Sequence, residues 1–78
     1  MRSSDQPQPG LGTAIHQLRK ERGMTQEALA HEAAVTAGHL SMIERGHSNP
    51  TWGTVARIAS ALKIRMRDLA RLAEEQRS

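Results

Sequence analysis

Four histidines are the residues of this sequence whose type most directly suggests chemistry. His31, His39 and His47 are evenly spaced, and Glu32 follows His31 as it would in a zinc-binding helix. Such a helix needs a second histidine four positions on, so that two imidazoles share one face, and position 35 is Val35. Cysteine is absent, which excludes thiolate metal sites and a disulfide framework. Gly10-Leu11-Gly12 lacks the third glycine and the preceding strand of a dinucleotide site. No nucleophile stands with a base and an orienting group, and so short a chain offers little cleft. The sequence therefore reads as non-enzymatic, with no metal and no cofactor.

A second row of side chains suggests recognition instead, and it lies within 25–46, TQEALAHEAAVTAGHLSMIERG. Ala28, Leu29, Ala33, Leu40 and Ile43 recur at the three- and four-residue spacing of a buried helical stripe. Thr25 and Thr36 stand where two helices should begin, and a threonine hydroxyl there can accept an orphan backbone N–H. Ala33-Ala34-Val35 leaves room only for a sharp turn, and Ala30 supplies a small side chain where two helices cross steeply. The expectation is two short helices, 26–33 and 36–45, in a helix-turn-helix arrangement whose second member is shaped for the DNA major groove. With Leu40 and Ile43 turned inward, a 100° step places Gly38, Ser41, Met42 and Arg45 outward, with Ala37 on one flank and His39 on the other.

The longer run RKERGMTQEALAHEAAVTAGHLSMIERGHSNPTWGTVARIASALKI resembles the phage-repressor (Xre, or Cro-repressor) family of helix-turn-helix domains. The matching features are Arg22-Gly23 before the second helix, Thr25-Gln26 opening it and Leu29-Ala30 inside it. Ile43-Glu44-Arg45-Gly46 closes the third helix, and Asn49-Pro50 and Ala59-x-x-Leu62 follow at the family's spacing. The resemblance covers about 11–73 and implies an all-α, compact five-helix bundle of the lambda-repressor-like DNA-binding type, with the helix-turn-helix at helices two and three. It implies that Ala37, Gly38, Ser41 and Met42 face base edges, that Gln26 touches a phosphate and braces the third helix, and that Thr25 and Thr36 belong to the DNA-binding surface. Arg45 is the one long donor of the reading helix, and His39 either reaches a phosphate or is solvated. His47 and Asn49 are expected along a phosphate ridge. Arg19 is expected to pair with Glu44 between helices one and three.

The chain departs from the family at three positions in two joins. Ala34 and Lys63 stand where the family often has glycine, and a left-handed conformation at Ala34 would cost on the order of 1 kcal/mol. Arg65 stands where Ser, Thr or Asp would cap the last helix.

The remaining elements follow from the same periodicities. Residues 1–10, MRSSDQPQPG, form an expected disordered arm, and their single Arg2 argues for a plain tail over a minor-groove arm. The first helix should run over 11–22, with Leu11, Ile15 and Leu18 on one face and Gly23 as its left-handed stop. Lys20 and Arg22 read as general basic surface. The fourth helix should span 52–62, with Val55, Ile58, Ala59 and Leu62 inward and Trp52 as a core plug beside the third helix. The fifth should span 66–73, leaving 74–78 as a frayed end.

Met66, Leu69, Ala70, Leu72 and Ala73 offer more apolar surface than one small core needs, so they are the expected seam of a homodimer. The net charge of +3 agrees with a nucleic-acid partner, and no apolar run is long enough to span a membrane. These readings converge on a cytoplasmic, nucleoid-associated regulator of prokaryotic or phage origin that binds double-stranded DNA. The alternative is an antitoxin-like protein-interaction module that keeps the fold with weak base readout, since Ala37, Gly38 and Met42 carry little hydrogen-bonding chemistry.

Overall fold

The computed structural model describes residues 9–77, and five α-helices account for most of them. They are α1 (Pro9–Glu21), α2 (Gln26–Ala33), α3 (Ala37–Glu44), α4 (Trp52–Ala61) and α5 (Met66–Arg77). No strand occurs among the described residues. Thr25, Thr36 and Thr51 are the N-caps of α2, α3 and α4, each hydroxyl accepting the N–H three residues on, from Ala28, His39 and Thr54. A threonine cap of this kind contributes about 1 kcal/mol.

One join is used four times. After α1, α2, α3 and α4 the chain turns through a positive-φ residue, at Gly23, Ala34, Gly46 and Lys63. The amide of that residue and the next then bond back to the helix end in the Schellman pattern, for example Ala34 N to His31 O at 3.2 Å and Val35 N to Ala30 O at 3.0 Å. Lys63 N and Ile64 N repeat it on Ser60 O and Ala59 O, both at 3.0 Å. Ala34 and Lys63 therefore adopt the left-handed conformation in spite of their Cβ atoms, both at φ 59°. Met24, Val35 and Ile64 follow the turn residue and are partly buried against the core, which offsets that local strain.

The core contains Ile15 from α1, Leu29 from α2, Leu40 and Ile43 from α3, Ile58 and Leu62 around α4, and Leu69 from α5, all essentially inaccessible. Helix α1 packs along α5 and crosses α3, while α2 packs on α3 and α4. Ala30 is buried, as a small residue at a steep crossing should be. A close backbone approach also occurs at Gly12 of α1. A Cβ there would run into the carbonyl oxygens of Ile43 and Glu44 at the end of α3. Gly12→Ala is expected to push α1 off α3 and lower stability by about 1–3 kcal/mol, measured by urea titration. An unchanged midpoint would mean that the helices are not in backbone contact at Gly12.

Several boundaries differ from the sequence expectation. Residues 1–8 of the expected arm lie outside the described residues, but Pro9 and Gly10 belong to α1. Proline fits a first helical position because its missing N–H would have had no partner there. Helix α5 continues through 74–77, most of the segment expected to be a frayed end. Its last turn lies on α1, where Gln76 Nε2 donates to Gln17 Oε1 at 3.1 Å.

Trp52 is not a core plug. It is 75% exposed. As the first residue of α4 it sits about a quarter turn from the direction set by Ile58 and Leu62, and Thr54 takes the inward place.

Candidate nucleic-acid interface

A buried carboxylate ties the helix-turn-helix to the rest of the molecule. Glu44, on the last turn of α3, faces Arg19 of α1 in a two-point contact: Arg19 Nε donates to Oε2 at 2.7 Å and Nη2 to Oε1 at 3.1 Å. Arg19 also donates Nη1 to Met24 O at 2.8 Å, closing the α1–α2 join. Gln26 Nε2, from the first turn of α2, donates to Glu44 Oε1 at 3.0 Å. His16 Nδ1 stands 2.9 Å from the same oxygen. A carboxylate only accepts, so Nδ1 carries a hydrogen toward it, and the 3.2 Å approach of Arg19 Nη2 to that nitrogen is then a contact without a hydrogen bond. Burial alone would raise the Glu44 pKa. The hydrogen bonds from Arg19, Gln26 and His16, with the Arg19 charge, overcome this and hold it below the ordinary carboxylate value.

This cluster sets the position of α3, and α3 turns one face outward. Gly38 is exposed with open space where a Cβ would be, Ser41 and Ala37 are half-buried, and Met42 and Arg45 are exposed. Arg45 folds along the helix so that Nη2 lies 3.5 Å from Met42 Sδ. His39 is half-buried, with Nε2 3.4 Å from Ser48 Oγ in the 46–50 join. His47 and Asn49 of that join are exposed. Thr25 and Thr36 use their oxygens as caps, which leaves each hydroxyl hydrogen available to an outside acceptor. Of these residues, Thr25, Thr36, Gly38, Met42, Arg45, His47 and Asn49 are exposed.

The residues expected at a dimer seam divide between the core of a single chain and its surface. Leu69 is 1% exposed and belongs to the core of a single chain, and Leu72 packs toward α1 beside Ala14 and Leu18. Helical periodicity places Leu69 and Leu72 on the stripe facing α1 and α4, leaving Met66, Ala70 and Ala73 on a neighbouring face. That face lines an open groove of about 370 Å³ together with Leu11, Pro50, Trp52 and Val55.

Three functional contacts had no local signal in the sequence. His16 joins Glu44 across 28 positions. Arg22, expected as free basic surface, donates Nε to Leu62 O at 2.6 Å and caps the end of α4. Arg57 donates Nε to Ala33 O at 2.9 Å and caps the end of α2. Cations at helix C-termini also complement the helix dipole. The described residues contain no cluster of three or more His, Asp or Glu able to hold a metal. None of their helices is long and apolar enough to cross a membrane.

Comparison with known proteins agrees with this geometry. Residues 15–69 match the helix-turn-helix family model. An uncharacterized HTH-type transcriptional regulator of Sinorhizobium fredii, y4dJ, is 37% identical over 54 residues, covering 69% of this chain and 70% of its own length. The immunity repressor protein of Bacillus phage phi105 is 39% identical over 56 residues, covering 72% of this chain but only 39% of the repressor. Among solved structures, the clp gene regulator ClgR from Corynebacterium glutamicum superposes with a TM-score of 0.86 at 28% identity, covering 91% of this chain and 92% of that one. Five helices, the capped α2–turn–α3 unit and these matches together place the chain in the helix-turn-helix family of transcriptional regulators.

Proposed function

We propose that this protein binds a two-fold DNA operator as a homodimer, with α3 in the major groove, and regulates transcription without catalysing a reaction. The observation that carries the reading is the open outward face of α3, held in place by the Glu44 cluster. Gln26, Thr25, Thr36, His39, His47 and Asn49 would lie at the phosphates, where contacts position the protein but carry no base identity. Ala37, Gly38, Ser41, Met42 and Arg45 would face the bases. A face with Gly38 at its centre lets the helix backbone approach closely, and Ala37 and Met42 can pack on thymine methyls. Bidentate readout of adenine by Asn or Gln is absent from this face, so discrimination at single bases is modest and DNA shape between half-sites supplies the rest. The two copies of α3 would stand about 34 Å apart, one duplex turn. Its place of action would be the cytoplasm, at the nucleoid.

The test compares variants on a duplex selected from a random pool and on its scrambled counterpart, at two salt concentrations. Arg45→Ala is expected to weaken binding about tenfold or more. Met42→Ala is expected to relax preference at a thymine. Gln26→Ala should weaken both duplexes alike; because Gln26 also donates to Glu44, its melting is measured in parallel. If Met42→Ala and Arg45→Ala leave every base preference unchanged, α3 does not read DNA through this face. The interaction-module reading would then take its place.

A further inference from the structure

His16 is held on one edge of its ring and open on the other. Its Nδ1 meets Glu44 Oε1 at 2.9 Å, yet the side chain is 53% exposed. No described residue bonds to Nε2, on the opposite edge. Gln26 Nε2 donates to the same Glu44 oxygen, so the imidazole of α1 and the amide of α2 stand side by side. Gln26 is the residue proposed above to touch a phosphate, and its amide keeps a second hydrogen for that contact. His16 therefore stands where the backbone of the duplex would pass.

Charge decides what this edge shows to DNA. Arg19 is matched by Glu44 in the two-point contact, so that pair presents no net charge. A neutral His16 with its hydrogen on Nδ1 offers Nε2 only as an acceptor, which a phosphate oxygen cannot use. The doubly protonated ring donates from both nitrogens, inward to Glu44 and outward to an anion. Glu44 of α3 favours that cation, and Arg19 of α1, with Nη2 3.2 Å from Nδ1, opposes it. These are the charged groups at hydrogen-bond distance from the ring among the described residues. Gln26, its neighbour from α2, is uncharged, and α5 meets α1 on a different face, along Ala14, Leu18 and Glu21. Exposed Lys20, one turn on along α1, adds to the attraction for an anion. A phosphate at Nε2 would be a second negative neighbour, and it tips the balance toward the protonated ring.

We propose that His16 is a DNA-backbone contact that takes up a proton on binding, gripping one phosphate beside Gln26 with Glu44 behind it. The inference rests on the DNA-binding reading above and deepens it by adding a residue of α1 and a pH dependence. Proton uptake and DNA affinity are then linked, so acid strengthens binding through this contact.

The test measures the affinity of the full chain for the selected and scrambled duplexes over a range of salt, at about pH 6 and about pH 8.5, either side of ordinary imidazole titration. The variant is His16→Asn, whose short amide can still donate to Glu44 but has nothing at the place of Nε2. His31, His39 and His47 are common to both proteins, so their titration cancels in the comparison. At the lower pH the parent's log affinity should fall with log salt more steeply than the variant's, by about 0.9, the slope of one neutralised phosphate. The parent should bind about three- to tenfold more tightly there, on both duplexes alike, because the contact carries no base identity. At the higher pH the two proteins should converge. His16→Arg, whose charge is permanent, should keep the steeper slope at both. A difference equal at the two pH values, or no difference, makes His16 a structural partner of Glu44 and overturns the proposal. The nitrogen-15 resonance of His16 Nε2 in the unsubstituted protein is a check that no variant can confound. In the complex at the lower pH it should be that of a protonated nitrogen, and a bare Nε2 there overturns the proposal as well. A parent that binds no duplex at either pH defeats this inference together with the DNA-binding reading. A parent that binds while His16→Asn matches it throughout defeats the inference alone.

Discussion

Glu44→Ala and Arg19→Ala are each expected to cost about 3–5 kcal/mol, a large share of the 5–15 kcal/mol that stabilises a typical domain. Both side chains are nearly inaccessible, 9% for Arg19 and 3% for Glu44, so solvent screens the pair little. Removing one partner leaves the other as a buried, uncompensated charge, and Glu44→Ala also strands donors from Gln26 and His16. The urea midpoint is the measurement. The pair is decoration if both variants unfold where the parent does.

The pH dependence of the parent carries the same information. The folded pKa of Glu44 lies below its ordinary value of 4.5. Its contribution is therefore complete above about pH 4.5 and is lost as pH falls through the lowered folded value. Glu44→Gln cannot titrate, so this acid-dependent component of stability should be missing from that variant.

Leu69→Glu should unfold the single chain rather than separate two folded ones. Leu69 is 1% exposed and packs in the core with Leu62 and Ile15. Truncating such a leucine to alanine costs about 2–5 kcal/mol, and a carboxylate adds the penalty of burying a charge with no partner. The far-UV helical signal should collapse at all protein concentrations. A folded monomer in this variant would place Leu69 on the surface and return it to the seam. Met66→Glu, on the groove side of α5, is the appropriate contrast, because Met66 is only partly buried.

The difference between Leu69 and Trp52 shows where sequence reading stops. Both are apolar, and both lie in stripes of the correct period. Periodicity reports that a helix has an apolar face, but not where that face divides between a chain's own core and the surface beside it. On α5 the division falls between Leu69 and Ala70, a step of about 100°. On α4 it leaves Trp52 outside and brings Thr54 in.

The sequence alone was sufficient for the five helices, the helix-turn-helix at α2 and α3, its threonine caps and its outward row. These depend on interactions within a turn or two of the chain: cap hydroxyl to N–H, apolar spacing, and the left-handed stops at Gly23 and Gly46. The Arg19–Glu44 pair was legible only through the family resemblance. Tertiary structure decided the rest. It placed His16 on Glu44, set Arg22 and Arg57 as caps on helices far along the chain, and made Gly12 the point where α1 meets the end of α3. It also moved Leu69 inward and Trp52 outward. Each of these outcomes depends on the relative placement of two helices, and that placement is settled by how whole faces pack rather than by any local run of residues.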